Sequence, residues 1–573
     1  MHLELFYPGA VLSLCRSKKT KENSFAILSI AACAIGGVSR RQTNLVNSMK
    51  VLLLYPLFPK SFWSFEKTLA LLGRKAMLPP LGLVTVAAIL PQAWEFKLVD
   101  RNVRQVTEEE WAWADLVIIS AMIVQKPDFC HQIQEAKKRY KKVAVGGPYP
   151  TALPQEAKLM GADYLVLDEG ELTIPLFVEA FEKGEKEGIF RSSEKPDITQ
   201  TPIPRFDLLE LEAYDSMSIQ FSRGCPFQCE FCDIIVLYGR KPRTKAPQQL
   251  IAELERLYEL GWRGRVFLVD DNFIGNKRNV KLLLRELAVW VAEHQYPFKF
   301  FTEASVDLAE DSELMELMVA CNFYAVFLGI ETPDEASLEL TRKFQNSRNP
   351  LSEAATKIIQ SGLMVMSGFI IGFDGEKPGA GNRIVEFVEQ TSIPIAFFSM
   401  LQALPDTALW KRLEKEERLH PQTADINQTT LMNFIPTRPI EDIAREYMEG
   451  FWELYEPSRF LKRAYRHYMM MADTKHHGGK QKMQWLEIRA LLTILLQQGF
   501  IRKTRWLFWQ NLIGIWKYKR SRLTEYIAVC ARLEHFLEYR QIVLEQIQRQ
   551  LSDPLMAQER NMYDNFIEIK AGN

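Results

Sequence analysis

The sequence predicts an α/β protein made of two successive parallel-sheet units and a helical C-terminal region, on three observations. Short apolar runs alternate with helical stretches from Val51 to about Lys183. Six more strand-like runs recur, with helices between them, from Ser218 to Met400. Beyond about Pro439 the chain turns helical and aromatic. Apolar strands separated by helices call for parallel pairing, because a crossover helix must return the chain to the same end of the sheet.

Composition bounds the rest. The chain has 573 residues, with 47% hydrophobic and 25% charged, which suits a globular protein of several domains and large cores. Lys plus Arg equals Asp plus Glu at 71 each, so bulk charge predicts no nucleic-acid partner. Eight cysteines in so long a chain make no disulfide framework. Lys18, Lys19 and Lys21 precede an apolar run from Phe25 to Val38, the rough shape of a signal peptide and far too short for an ordinary transmembrane helix. Met49-Lys50 then opens directly into Val51-Leu-Leu-Leu-Tyr55, the pattern of a first buried strand. The expectation is that residues 1–48 are an N-terminal extension, untranslated or disordered, with export as the alternative.

Over residues 49–189 the expected strands are Val51–Tyr55, Phe96–Val99, Leu116–Ser120, Val143–Val145 and Tyr164–Leu167. Helices fit Leu81–Leu90, Phe129–Tyr140, Pro154–Met160 and Ile174–Phe181. This is a Rossmann-like, doubly wound pattern, in which ligands sit at the carboxyl ends of the strands. Those ends carry Asp100-Arg101-Asn102, Ser120-Ala121-Met122, Gly146-Gly147-Pro148 and Asp168-Glu169-Gly170-Glu171. Gly146 and Gly147 let backbone approach a ligand closely, although Gly-Gly-Pro is also plain turn chemistry. Residues 190–215, with Pro196, Pro202 and Pro204, read as an extended linker.

Over residues 216–438 the expected strands are Ser218–Phe221, Val266–Val269, Lys299–Thr302, Ala325–Ile330, Val365–Ile371 and Ala396–Met400. Helices fit Pro247–Leu260, Val280–His294, Ser312–Cys321, Leu351–Ser361 and Arg383–Glu389. Repeated right-handed crossovers of this kind make a partial (β/α)6 barrel. Just after its first strand stands Phe221-Ser-Arg-Gly-Cys225-Pro-Phe-Gln-Cys229-Glu-Phe-Cys232-Asp233. Thiolates are the ligands that iron–sulfur clusters need, and a tight loop lets several reach one cluster. A structural zinc wants four ligands, yet no histidine lies between His131 and His294 and no second C-x2-C pair exists. A disulfide would leave one of the three cysteines unpaired. A [4Fe–4S] cube on Cys225, Cys229 and Cys232 leaves one iron open to an outside ligand.

With that C-x3-C-x2-C spacing and the aromatic Phe231 before the last cysteine, the chain resembles the radical S-adenosylmethionine (SAM) enzymes. The resemblance implies that the open iron binds the amino and carboxylate groups of SAM. Reduction by a flavodoxin- or ferredoxin-type donor then cleaves SAM to a 5′-deoxyadenosyl radical. It further implies a SAM pocket at the strand ends, with Asp270 and Asn272 near the amino group, Glu303 near the ribose or sulfonium, Glu331 beside them and Gly372 near adenine. Carboxylates suit an ammonium and ribose hydroxyls, while bare backbone can pair with a flat adenine edge. Helix capping is the plain alternative for Asp270 and Asn272. An oxygen-sensitive cluster belongs in a reducing compartment, so a cytoplasmic location is expected.

Placed before such a barrel, the first domain, with its Gly-Gly-Pro and Asp-Glu-Gly-Glu segments, resembles the cobalamin-binding domain of the B12-dependent radical SAM class. Many cobalamin domains carry Asp-x-His-x-x-Gly, whose histidine ligates cobalt from below. Asp100-Arg101-Asn102-Val103-Arg104-Gln105 has neither that histidine nor the glycine. The resemblance therefore implies cobalamin held without a protein histidine, and the alternative is a domain that has lost cobalamin and only positions substrate.

Two segments stay open. Arg240-Lys-Pro-Arg243-Thr-Lys245 can meet the SAM carboxylate or an anionic substrate, but a solvated basic loop is the more ordinary reading; Tyr238 suits the cavity wall or the core equally. In the helical region, residues 439–573, Arg445–Tyr455 and Leu461–Met471 show helical spacing and Thr474–Lys480 reads as a polar loop. From Phe500 to Arg522 seven Lys or Arg residues and no acid interleave with Trp506, Phe508, Trp509, Trp516 and Tyr518. Peripheral membrane contact is the functional reading of that stretch, and a packed helix with basic flanks the plainer one. The neutral chain argues against nucleic acid.

The whole arrangement, including Cys232 to Lys245, resembles the group that contains the hopanoid C-2 methylases. It implies cobalamin-dependent methyl transfer to an unactivated carbon of a hydrophobic, hopanoid-like lipid or other small molecule. Radical cyclisation or rearrangement of tetrapyrrole type is the alternative within enzymes, and a non-catalytic cobalamin or Fe–S sensor the alternative outside them. Methylthiolation needs three further cysteines upstream, and after Met49 only Cys130 is available.

Overall fold

The first sheet is built on a strand buried from both sides. In the computed structural model, which describes residues 48–346, 350–420, 426–473 and 485–553, β1 (Lys50–Tyr55) is an inner strand, second from one edge of that sheet. Val51 and Leu53 face one hydrophobic core and Leu52 and Leu54 face another, so the two-residue period of a strand divides a continuous apolar run between two layers. The remaining strands are β2 (Glu95–Asp100), β3 (Leu116–Ser120), β4 (Lys142–Gly146), β5 (Tyr164–Val166) and β6 (Gly188–Phe190). They pair in parallel in the order β2-β1-β3-β4-β5-β6. The chain leaves β1 for β2 on one side and returns to β3 on the other, which puts the topological switch point of the sheet between β1 and β3. The expected strands and helices of this unit are present; β6 and the short helices Glu108–Trp113 and Pro148–Ala152 join them. Expectations for residues 1–47 and for the loop Thr474–Lys480 fall outside the described residues.

Residues 190–215 are tied down rather than free. Arg205 N–H donates to the Val84 carbonyl at 3.0 Å, and the Ala213 carbonyl accepts from Lys75 and Ala76. Three short 3-10 turns, Ile198–Gln200, Phe206–Leu208 and Leu211–Ala213, punctuate the proline-rich text.

The second sheet begins with β7 (Ser216–Ile219). Two short strands of the cysteine loop follow, β8 (Ser222–Arg223) and β9 (Arg243–Thr244), which pair antiparallel and clip the loop shut. Then come β10 (Arg265–Leu268), β11 (Lys299–Ala304), β12 (Phe323–Glu331), β13 (Met364–Ile371) and β14 (Ile395–Met400). The order β14-β13-β12-β11-β10-β7 is all parallel and follows the chain, so each helix carries it one strand onward. Along β12, Leu328 and Ile330 are buried beneath the helices, while Phe327, Gly329 and Glu331 keep partial exposure on the inner face. The strands predicted for this half-barrel are all found within about two residues of their observed ends.

Helices Ile440–Leu454, Pro457–Met470, Arg505–Tyr518 and Leu533–Leu551 supply the C-terminal region. Phe62, from the loop after β1, stacks on Phe536 with ring centroids 4.9 Å apart and tilts against Tyr455 at 5.8 Å. One contiguous core thus joins a face of the first sheet, the half-barrel and the C-terminal helices.

Candidate functional site

The cysteine loop is held at its root by Asp270, at the end of β10. Its buried carboxylate accepts from the backbone N–H groups of Phe221 (2.8 Å) and Ser222 (2.7 Å) and from the Ser222 hydroxyl (2.6 Å). Burial pushes the Asp270 carboxyl up to about 7, against the pull of those three bonds. Asp271 accepts from Gly224 N–H at 2.9 Å and is pushed by burial to about 6. Gly224 has φ +91°, and a Cβ there would stand 2.7 Å from the Gly239 carbonyl, so glycine is required where the loop's exit folds over its entry.

On this root Cys229 is buried while Cys225 and Cys232 are partly exposed. Cys225 N–H donates to Gly239 O at 3.3 Å and Cys232 N–H to Cys229 O at 3.2 Å, which fixes the turn presenting the thiols. Burial drives the Cys225 and Cys232 thiols up; Cys225 also feels Cys229, and Cys232 feels Asp233 and both other thiols of the triplet. Such a set is unfavourable as free thiolates and favourable when a metal centre takes the charge. Among the described residues no three His, Cys, Asp or Glu side chains converge on one point as a site for a single ion. The donor set fits a cluster on three thiolates.

Sequence reasoning missed the groups around the triplet. Gln345 donates from Nε2 to Cys229 Sγ at 3.6 Å. Buried Lys343 pairs closely with Glu331, has its ammonium 5.9 Å from the Phe231 ring centre, and is held charged by Glu331 and by the neighbouring Cys229 and Cys232 when these are ionised. Phe231 itself stands 5.9 Å from Phe373, against the strand end. Glu230 anchors the loop outward through Arg412 at 2.9 Å. No periodic pattern marks Lys343 or Gln345, because they follow a helix of six residues and arrive by tertiary folding.

The strand-end residues divide by duty. Asp270 spends its acceptors on the cysteine loop, as described, and Asn272 joins β10 to β11 by donating to Ser305 Oγ (3.1 Å) and accepting from Ser305 N–H (3.2 Å). Glu303 differs: among the described residues it makes no hydrogen bond or ion pair. Burial first, and then the charges of Asp271, Glu331 and Asp270, raise its carboxyl to about 7. Gly372 has φ +99° and donates to Glu376 at 2.9 Å; the space of its missing Cβ is filled by the Met432 thioether, whose sulfur and methyl would lie 2.9 Å away.

A cleft, partly open to solvent, lies at the carboxyl ends of β3, β4 and β5. One wall carries Met122, Tyr149 and Asp168 of the first sheet, and the facing wall carries Asp233 and Leu237, just beyond Cys232, with Pro405 after β14. Gly146 and Gly147 are not among its lining residues and act from beneath it, in a way the sequence did not suggest. A Cβ on Gly147 would stand 2.6 Å from Ser120 Oγ, and one on Gly146 2.7 Å from the Val166 carbonyl. The glycines therefore allow the strand ends to close on one another, which places the following residues Pro148 and Tyr149 in the wall. Asn102, where many cobalamin domains have histidine, is held by Phe58 N–H (2.9 Å), Pro56 O (3.2 Å) and Asp100 (2.7 Å). Among the described residues no histidine lines the cleft.

The Asp-Glu-Gly-Glu segment joins the two sheets. Glu169 pairs with Arg223 at 2.9 Å and Arg243 at 2.8 Å, and Glu171 pairs with Arg223 at 2.8 Å. Arg243 is thus committed to Glu169 and Lys245 to the buried Glu253, so these members of the basic run neither face a SAM carboxylate nor lie in solvent.

Comparison with known proteins fits this arrangement. Residues 68–178 match the B12 binding domain, residues 219–388 the Radical SAM superfamily and residues 407–549 a domain of unknown function. The chain belongs to the cobalamin-dependent radical SAM methyltransferase family, whose cofactors are a [4Fe–4S] cluster, SAM and cobalamin. An uncharacterized methyltransferase of Synechocystis is 63% identical over 91% of this chain and 97% of its own. The hopanoid C-2 methylase of Rhodopseudomonas palustris is 37% identical over 73% of this chain and 79% of its own. Among solved structures, the radical SAM methyltransferase TsrM of Kitasatospora setae, with cobalamin and a [4Fe–4S] cluster bound, shares the fold at a TM-score of 0.58 and 16% identity, over 85% of this chain and 99% of that one.

Proposed function

We propose that this enzyme transfers a methyl group to an unactivated carbon of a hydrophobic, hopanoid-like lipid. The observation that carries the substrate class is the inner face of the half-barrel. Phe267 and Phe301 stack there at 4.6 Å, and Trp63 sets its edge on Phe327 at 5.5 Å and lies 5.9 Å from Phe397. Phe327 is the register partner of Glu303. A wall of rings beside the strand ends favours a bulky apolar acceptor, since burying apolar surface yields about 25 cal/mol per Å². The 37% identity to a hopanoid C-2 methylase agrees with that class.

In this reading Cys225, Cys229 and Cys232 hold the cluster, with Phe231 packed beside it. Asp270 and Asn272 keep the cysteine loop and the β10–β11 ends in place. Glu303, with its bonding capacity free, receives ammonium or ribose hydroxyl groups of SAM, while Glu331 holds Lys343 toward the sulfurs. Gly372 keeps the β13 turn at the pocket edge. The cleft between the two sheets takes cobalamin, with Gly146 and Gly147 letting the strand ends close beneath it. Once bound, the cofactors supply the radical and the methyl group, and the protein orients them and excludes water. A flavodoxin- or ferredoxin-type protein supplies electrons, and the setting is the cytoplasm.

The test is anaerobic reconstitution with iron, sulfide and cobalamin, followed by SAM carrying a labelled methyl group, a reductant and extracted cell lipids. Expected products are 5′-deoxyadenosine, S-adenosylhomocysteine and a labelled lipid, with none from Cys229→Ala, which also loses the broad visible absorption of the cluster. Deoxyadenosine without a labelled lipid would overturn the lipid reading.

A further inference from the structure

Among the described residues, ten of the exposed large hydrophobic side chains fall between Trp485 and Tyr518, a concentration not repeated elsewhere among them. They belong to helix Trp485–Leu496, the turn Gln497–Ile501 and helix Arg505–Tyr518. Along the first helix and the turn after it, Trp485, Leu492, Leu496 and Phe500 recur at helical spacing along one exposed line. On the second, Phe508, Asn511 and Ile515 are buried, and Asn511 donates to the Leu461 carbonyl at 3.1 Å, which fixes the helix on Pro457–Met470. Its opposite side carries Trp506, Ile513 and Trp516, exposed by 74%, 58% and 54%. Trp509 Nε1 donates to the Gly499 carbonyl at 2.8 Å and its ring stands 5.8 Å from Phe500, so the two apolar lines meet at the turn.

A water-facing helix places charge on its outer side; this pair places indole and aliphatic groups there. Charge surrounds them. Exposed Arg489, Lys503, Arg505, Lys517 and Arg520 flank the apolar residues, and Glu487 is the sole acid from Trp485 to Arg522. We infer that this helix pair is a docking surface for the face of an anionic lipid bilayer. Its tryptophans enter the headgroup boundary and its lysines and arginines meet lipid phosphates. The charge pattern decides between occupants. A second copy of this chain would set like charges against like charges across a two-fold interface, whereas an anionic surface complements them. No helix among the described residues is long and apolar enough to cross a membrane, so the contact is interfacial. This surface stands apart from the substrate reading: its failure would leave methyl transfer to a lipid untouched, and the converse holds.

The experiment uses the full-length, cluster-loaded protein and vesicle sedimentation. Vesicles of equal parts phosphatidylglycerol and phosphatidylcholine should carry the protein down, and phosphatidylcholine alone should do so far less. Raising salt until the Debye length falls to roughly 3 Å should release most of it. Trp506→Ser and Trp516→Ser, both at exposed positions, should each weaken binding about 10-fold, the worth of one buried apolar side chain. Lys503→Gln with Lys517→Gln should weaken binding to the anionic vesicles only. The inference is overturned by sedimentation equal with and without anionic lipid, or by tryptophan variants that bind like the parent. A stable dimer that Trp506→Ser dissociates would assign the surface to a second copy instead.

Discussion

Gln345 is the side-chain amide within reach of Cys229 Sγ, at 3.6 Å, and both residues are buried. Hydrogen bonds to a ligating sulfur favour the reduced cluster, which carries one more electron. Gln345→Leu should therefore make the cluster harder to reduce. At about 1 kcal/mol for one hydrogen bond, the midpoint should fall by roughly 40 mV in an anaerobic redox titration followed by electron paramagnetic resonance. An unchanged midpoint would mean that the amide does not bond to the sulfur. At this scale the sequence disclosed only what is local. Cys225, Cys229, Phe231 and Cys232 stand close together in the chain, and cluster chemistry demands that spacing. Asp270 and Asn272 were legible as strand-end polar groups, yet their partners, Phe221, Ser222 and Ser305, come from other strands, so their duty was not. Glu303 was singled out by position alone, and its lack of a partner is a property of the fold.

At the scale of elements, the strands were legible because most are apolar runs buried on both faces, and their helices show a clear amphipathic period. Elements of three to six residues, such as β6 and Pro148–Ala152, carry too few residues for any period to show. The join between the sheets was hidden for a different reason. Glu169 and Arg223 lie 54 residues apart, and no spacing rule connects a strand-end acid of one sheet to a loop base of another. Glu169 is 3% exposed, and Arg223 and Arg243 are 12% and 16% exposed, so this is a buried charge group and not a surface pair. Glu169→Gln keeps the shape and removes the charge, leaving Arg243 without an acid. Breaking a buried pair in this way costs about 3–5 kcal/mol; the remaining Glu171–Arg223 contact puts the expected loss near ~3 kcal/mol in urea unfolding. Backbone amides from Ser222 to Lys245 should also exchange faster. Adding Arg243→Gln to Glu169→Gln should recover part of the loss, because it removes the stranded charge. A double variant no better than the single one would show that the two residues are not coupled.

The molecule as a whole explains why the cysteine loop can wait for its cluster. Zinc fingers unfold without metal because the metal supplies most of their core. Here the loop's root is fixed by Asp270 and Asp271, and its two ends are clipped by the β8–β9 pair. Beneath it a continuous core runs from Leu53 in the first sheet through Val326 in the half-barrel to Phe536 in the C-terminal helices. Removing the cluster with a chelator under anaerobic conditions should therefore leave one cooperative thermal transition and nearly unchanged far-ultraviolet circular dichroism. The change should be confined to residues 225–238, where three buried or half-buried thiols must then be accommodated without metal. Limited proteolysis should find its new cleavage sites in that stretch, because local opening follows the weakest set of contacts. Loss of cooperative unfolding on chelation would mean that the cluster, and not the shared core, holds the two sheets together.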